Sequence, residues 1–566
     1  MKIFNVGLAA IALVTPLVGL AQSTSEPPKA TSQDAVIAAS PAARRLYEVV
    51  DVITRGDEAI RAYAASSAVP AKGRQEGPSG PAPPLLSLLE ARYFSHGYEF
   101  VRFETASPNE VRAILRNKLM DELQTVNLEV EPAPPHRIVT IDRGPAPAQH
   151  LREKTSDDQR IADVAAFVER LADADAFSGV VLIAKNGKPL FRRSYGFADR
   201  ERRIPNRFDT RFRLASLSKI FTGLAIGRLV EQGKLSYEDP LSNFIPDFPD
   251  PESAKKIRVK HLLSHTSGLG NYFNQSFFEN IDKMVDVKSI LAAVETQPLR
   301  FEPGSAVRYS NTGLLLLGRI IEIVTGDDYY AHMDKTMFKP LGLTRTGFPR
   351  YDEVGPETAL PYQISLTADE RAELALAETV VKRGAPSGDA ASTAADLLRF
   401  ANALQSGLIV KPETLRLHST PKPELNAPRF GYAMLLSPRV PGRDIFGHSG
   451  DAPGTCTELG IIRDMPSSYT VIVLSNGSAG QCHAVVRRIY RNFAPSDAKA
   501  EVASVHISGP VPAKQTVRFR PDPARGVGRA MAGLNSPMST ARDATRDGSG
   551  YLPPRRWVRT IASGSG

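Results

Sequence analysis

The sequence predicts an α+β fold: one antiparallel sheet flanked by helices with a large helical insertion, preceded by a small α+β module. Three observations carry this. Residues 180–184 and 190–195 are strand-like runs joined across Asn186-Gly187, a strong hairpin signal. Residues 459–463 and 470–475 form a second such pair, followed by a helical pattern over 481–493. Between the two pairs, apolar residues recur mostly at helical spacing, so strands from both ends are expected to meet in one sheet.

The chain has 566 residues, 42% of them hydrophobic and 23% charged, with 42 Gly and 44 Pro. These values exclude wholesale disorder and a polytopic membrane protein, and the length suggests two to four domains. The formal charge is +9, but residues 497–566 hold 11 Lys/Arg against 5 Asp/Glu, so six of the nine charges lie in the last stretch. A basic nucleic-acid-binding body has no support.

In chain order, residues 1–21 carry Lys2, an apolar run to Leu20 and a small-x-small end at Gly19-Leu20-Ala21. This reads as a signal peptide, and hence as export to the periplasm or the exterior. Residues 22–39 are a polar linker. A helix is expected over 42–63, with Leu46, Val49 and Ile53 on one face, then a Gly/Pro-rich loop over 73–84. Strands are expected at 98–104, 111–116, 124–131 and 137–142. These make a module over 40–142, followed by a Pro-rich linker over 143–157. Ser156 and Gln159 can form a capping box ahead of Ile161, Val164, Val168 and Leu171, which opens the main body at 158–495. Residues 496–566 are expected to be a disordered basic tail. An exported chain with only two cysteines, Cys456 and Cys482, can close one bridge between them; two buried thiols are the alternative.

The chemistry points to Ser216-Leu217-Ser218-Lys219, which opens an apolar helix. Residues three apart share a helix face, so the Lys219 amine reaches back to the Ser216 hydroxyl. In a dry site that amine can lose its proton and serve as the base for the serine. Ser253/Lys256, Ser419/Lys422 and Ser496/Lys499 repeat the spacing, but none opens a long apolar helix. A second element is Tyr309-Ser310-Asn311, after a Pro-Gly turn and before a long apolar helix. Its tyrosine can relay a proton, and its asparagine can hold the lysine or a substrate amide. Tyr272-Phe273-Asn274 and Tyr490-Arg491-Asn492 have the same spacing, and loss of the Tyr272 hydroxyl is expected to matter little. The third element is His448-Ser449-Gly450, where imidazole and hydroxyl can meet substrate oxygen and the glycine can let a substrate backbone approach.

Together these three elements resemble the serine β-lactamase and penicillin-binding-protein-like hydrolases, in the branch of class C β-lactamases, DD-peptidases and esterases. The resemblance spans about 160–493. It includes FSGVVLIAKNGKPLFRRSYGF, VKHLLSHTSGL, MFKPLGLTRTGF and DAASTAADLLRFANAL besides the three short elements. It implies a β-lactamase/transpeptidase-like fold and an acyl-serine mechanism. Ser216 would be the nucleophile and Lys219 its base, with Tyr309 in proton transfer. Asn311, His448, Ser449 and Gly450 would position substrate, and the backbone N–H groups of Ser216 and Asp451 would form the oxyanion hole. His448 stands where other members carry lysine. A histidine near its ordinary value is mostly neutral at pH 7 and is expected to charge in part towards pH 5.5. That favours an ester or D-peptide substrate over a β-lactam.

Gly447 to Asp451 nearly spells a Gly-x-Ser-x-Gly elbow, but its fifth position is Asp and only His483 and His506 follow. His261 and His265 lie four apart, yet Leu262 stands where a metalloprotease motif needs Glu, so they read as structural and no metal or cofactor is implied. A non-catalytic binder or sensor built on the hydrolase fold remains a different class of function. The module over 40–142 could dock a partner or be a structural appendage.

Overall fold

The computed structural model describes residues 40–66, 84–146, 156–292, 298–367, 369–377, 381–436, 444–464, 467–477 and 479–494. The expected signal peptide, the linker over 22–39 and the expected tail lie outside the described residues.

Helices α1 (Pro41–Arg55), α2 (Asp57–Ala64) and α3 (Pro84–Tyr93) precede β1 (Tyr98–Ala106), β2 (Glu110–Asn117), β3 (Glu122–Val130) and β4 (Ile138–Pro145). The four strands pair in sequential order, all antiparallel. Ser40 caps α1 through the Ala43 N–H, and Pro41 sits at its first turn, where no amide is missed. Leu46, Val49 and Ile53 of α1 pack with Val111, Ala113, Val126 and Leu128 of the sheet. The one helix expected over 42–63 breaks at Gly56, whose φ of 116° no α-helix accommodates. Helix α3 was not foreseen, because its sequence PLLSLLEARY has no clear apolar stripe. Strand β4 runs on to Pro145, paired with Gln124, into what reads in sequence as linker.

The body opens at α4 (Asp157–Asp173) with the expected capping box between Ser156 and Gln159. Strands β5 (Gly179–Lys185) and β6 (Lys188–Tyr195) follow. Helices α5 (Lys219–Glu231), α6 (Val259–Leu263), α7 (Asn311–Thr325) and α8 (Ala394–Gln405) belong to the insertion. The chain then forms β7 (Leu435–Leu436), β8 (Ile445–Ala452), β9 (Thr455–Asp464), β10 (Ser467–Ser475) and α9 (Ala479–Phe493). One antiparallel sheet results, in the order β7-β8-β9-β10-β5-β6.

Register explains its core. Val181 and Ile183 of β5 lie opposite Val473 and Val471 of β10, and all four enter one cluster with Phe167 and Val168 of α4 and Val485 and Ile489 of α9. Their neighbours Val180, Leu182, Ile472 and Leu474 enter the opposite cluster, with Phe221 and Leu224 of α5 and Phe400 of α8. Both faces of β5 are covered, which is why GVVLIAK is continuously apolar instead of alternating. Each such side chain contributes about 1.5–3 kcal/mol.

The module is built into this body. Leu119 and Met120, in the β2–β3 turn, enter the core between α4 and α9. Arg170 donates to the Met120 carbonyl at 3.2 Å, and buried Glu122 accepts from Arg491 at 3.1 Å. In return the hairpin of Tyr362–Leu366 and Ala372–Leu376 packs Leu366 and Ala372 against the module's core.

Cys456 of β9 and Cys482 of α9 are disulfide-bonded, 26 residues apart. The second cysteine lies near the start of the helix, within the helical pattern expected over 481–493. The bond ties α9 to β9, which is paired on both sides within the sheet, so Cys482→Ala is expected to lower stability by about 2–4 kcal/mol. Thermal unfolding of the oxidised protein and the variant checks this; equal midpoints would show that packing alone holds α9.

Candidate active site

The serine turn is held from three sides. Ala215 to Ser218 form one 3-10 turn that runs directly into α5. Ala215 has a φ of 45°, a left-handed conformation that a non-glycine residue adopts only when its surroundings impose it. Those surroundings are the 389–390 segment: Asp389 N–H donates to the Ala215 carbonyl, and Leu214 N–H to the Ala390 carbonyl. Ser218, buried, donates to the Ala215 carbonyl and accepts from Ala390 N–H, both at 2.9 Å. From the sheet side, Thr457 of β9 donates to the Leu214 carbonyl at 2.8 Å.

Gly450 of β8 meets the same turn. A Cβ placed there would lie 2.0 Å from the Leu214 carbonyl oxygen and 3.0 Å from the Leu217 nitrogen. The sequence reading gave this glycine to substrate approach. The close neighbour is instead the protein's own turn, which can press on the strand only because no side chain intervenes.

Lys219 is fully buried and donates to Ser216 Oγ at 2.9 Å and to the Ser387 carbonyl. Burial pushes its amine down to about 7, against a smaller opposing pull from Asp389. Asp389 is in turn held by Arg213 at 2.9 Å. The lysine therefore loses its proton near neutral pH, within hydrogen-bond reach of the Ser216 hydroxyl. Its second partner is the Ser387 carbonyl; Asn311, expected as a possible holder of the lysine, instead starts α7 and lines the cleft.

Tyr309 closes the other side. Its hydroxyl is hydrogen-bonded to Ser216, and burial holds it well above its usual range, so it stays protonated. Its ring lies 4.9 Å from Lys219 Nζ. His265 positions it. The two rings stack with centroids 4.4 Å apart, the His265 carbonyl accepts from Arg308 N–H, and His265 Nδ1 accepts from Ser310 N–H at 3.2 Å. His265 thus holds the chain on both sides of the tyrosine, through its carbonyl before it and its ring nitrogen after it, and the ring must stay neutral to accept. Burial, helped by nearby Lys219, keeps it so. The sequence reading stopped at "structural" for His265. Only its place in HTSGL hinted at more.

His448 is buried with its ring 6.4 Å from that of Tyr309, and Nδ1 lies 2.5 Å from the Ser449 carbonyl. Burial, then the charge of Lys219, pushes it down to about 3. The expectation that it charges near pH 5.5 is therefore wrong: in this site it is neutral throughout. Ser449 pairs with Glu458, which is bonded to Tyr490 of α9, so its side chain leaves β8 on the face away from the serine turn. The structure does not bring its hydroxyl to the cluster. Asp451 leaves on the same face, with its carboxylate 2.8 Å from His483 Nε2. Among the described residues, the β8 edge opposite β9 has no strand partner from His448 onward, since β7 pairs with Phe446 and Gly447. Asp451, Cys456 and His483 lie close enough to suggest a metal site, but the Cys456 sulfur is committed to Cys482.

The cleft at Ser216 measures about 120 Å³, with Asn311, Tyr272, Ser387 and Asp389 around it and Phe273, Ile290 and Val381 as an apolar wall. Tyr272 is therefore no bystander. It is buried, and its hydroxyl lies 2.7 Å from Ser387 Oγ, on the residue whose carbonyl holds Lys219.

Two outcomes follow from this geometry. A reaction that needs neutral Lys219 must gain rate as pH rises through the lysine's value, so kcat/KM between pH 5.5 and 9 is expected to rise with a midpoint near 7. A limb near 6.5 that His448→Gln removes would assign it to the histidine instead. Tyr272→Phe removes one hydrogen bond, about 1 kcal/mol, so kcat is expected to fall about fivefold and the limb to move, with little change in KM. Tyr309→Phe should lose at least about a hundredfold. A Tyr272 variant with wild-type kcat and pH profile would return that residue to a packing role.

With the geometry established, comparison with known proteins gives its context. The Beta-lactamase family model matches residues 164–494. Penicillin-binding protein 4* of Bacillus subtilis (strain 168) is 34% identical over 326 residues, covering 54% of this chain and 70% of that protein. Esterase EstB of Burkholderia gladioli is 32% identical over 283 residues, covering 44% and 71%. The octameric penicillin-binding protein homologue from Pyrococcus abyssi superposes with a TM-score of 0.50 at 26% identity, over 57% of this chain and 76% of that one. The chain belongs to the Beta-lactamase family and is a serine hydrolase.

Proposed function

We propose that the chain is an exported enzyme that cleaves esters, or amides of D-peptides, through an acyl-serine intermediate, with β-lactams as poor substrates. Neutral Lys219 takes the proton of Ser216, and Oγ attacks the substrate carbonyl. The backbone N–H groups of Ser216 and Asp451 receive the developing oxyanion. Tyr309, protonated and hydrogen-bonded to Ser216, gives its proton to the leaving group and is reprotonated by Lys219 with the proton taken from Ser216. Water then releases the acyl group by the reverse path. Asn311 and the β8 edge at His448–Gly450 orient the substrate. The disulfide supports export, because such bonds persist in oxidising compartments.

The observation that carries the choice of substrate is His448. A buried imidazole pushed down to about 3 offers no fixed positive charge to a carboxylate next to the scissile bond. The likeness to an esterase points the same way. The test is a panel on one preparation: a short-chain p-nitrophenyl ester, a D-amino-acid peptide and a chromogenic β-lactam. Ester or peptide turnover should exceed β-lactam turnover, and Ser216→Ala should abolish both turnover and labelling by an acylating probe. Wild-type turnover in that variant would show that the nucleophile lies elsewhere, and labelling without turnover would favour a sensor.

A further inference from the structure

The cleft at Ser216 is lined by the hydrolase body, but it adjoins a second cleft that the N-terminal module helps to line. Ala452, at the end of β8, lines both that cleft and a second one of about 510 Å³. One wall of the second cleft is the β8–β9 turn at Ala452, Pro453 and Gly454, with Gln363 and the start of α9. The other wall is the N-terminal module, through Tyr98, Gln124 and Arg143.

This wall is built, not incidental. A Cβ on Gly454 would lie 2.5 Å from the Tyr362 nitrogen, so the turn is seated directly on the start of the hairpin that packs against the module. Tyr362 N–H is fixed in turn to the Asn476 carbonyl. Asp451 joins the two clefts from behind: it borders the first and is bonded to His483, which borders the second.

The chemistry of the second cleft differs from that of the first. Arg143 is exposed within it and donates to the Tyr98 hydroxyl at 3.1 Å. Arg487 also borders it, and Glu90 is the acid that faces Arg143. Gln124 and Gln363, from opposite walls, offer the paired donors and acceptors that a peptide backbone requires. A guanidinium receives a carboxylate in two parallel hydrogen bonds. The positive charge missing at His448 is thus available in the adjoining cleft.

We propose that the N-terminal module completes the substrate site. The part of the substrate remote from the scissile bond, a peptide-like chain bearing a carboxylate, lies between the module and the β8–β9 turn, with its carboxylate on Arg143. This rests on Ser216 as the nucleophile, since that residue fixes where the scissile bond lies.

The test uses the full chain and two p-nitrophenyl esters that differ only at the far end, N-succinyl-di-D-alanyl and N-acetyl-di-D-alanyl. The wild type is expected to favour the succinyl ester in kcat/KM by about tenfold. Arg143→Gln should bring the ratio close to one. Gln363→Glu, which places a carboxylate in the opposite wall, should lower it as well, so the result does not depend on one variant folding. Binding of a fluorescent succinyl-di-D-alanine to Ser216→Ala protein, with and without Arg143→Gln, reads the same preference without turnover and should weaken about tenfold. A wild-type ratio of one, or a ratio and an affinity that the variants leave in place, overturns the proposal. Turnover that survives Ser216→Ala overturns the acyl-serine reading instead.

Discussion

A lysine amine held out of water within hydrogen-bond reach of a serine hydroxyl is the constraint on which the rest of the site depends. An amine in water keeps its proton far above neutral pH and cannot serve as a base. Full burial of Lys219 removes that preference, and the cavity cannot be enlarged to admit water without undoing it. The neighbours obey the same requirement. Tyr309 and His448 are both neutral there, so neither adds a second buried charge beside the lysine. Asp389 supplies a modest counter-pull and is itself tied to Arg213, so the site is not left with an unpaired carboxylate.

The geometry of that amine is set by the sheet. The turn before α5 is pressed between β8 and the 389–390 segment, and the absence of a side chain at Gly450 sets how close strand and turn can come. Strand β8 is held by β9, β9 by β10, and β10 by β5 from the other end of the body. The serine turn, the tyrosine loop and the histidine strand therefore share one rigid frame although they lie far apart in sequence. The disulfide and α9 brace that frame from the face opposite the serine turn, where the module's β2–β3 turn also enters.

Support around the reacting groups is more extensive than the groups themselves suggest. Ser218 clamps the turn, His265 grips both flanks of Tyr309, and Ser387 with Tyr272 holds the far side of Lys219. Each acts through a backbone carbonyl, a backbone N–H or a stacked ring. Such contacts leave no spacing rule in a sequence, because one partner is a peptide group that every residue carries.

The sequence by itself determined β5, β6, β9 and β10 of the six-stranded sheet, the capped start of α4, the helix that carries Lys219 and the three elements that meet around Ser216. These are local properties: a side-chain period, a turn dipeptide, or a spacing of three on a helix. Only the tertiary structure decided that His448 enters the site while the Ser449 hydroxyl leaves it on the other face. It alone decided that Gly450 yields to the protein's own turn, that His448 is buried too deeply to charge, that Tyr272 reaches Ser387, and that the module lines a cleft beside the catalytic one. Burial and face depend on what packs from distant parts of the chain, and no local pattern contains that information.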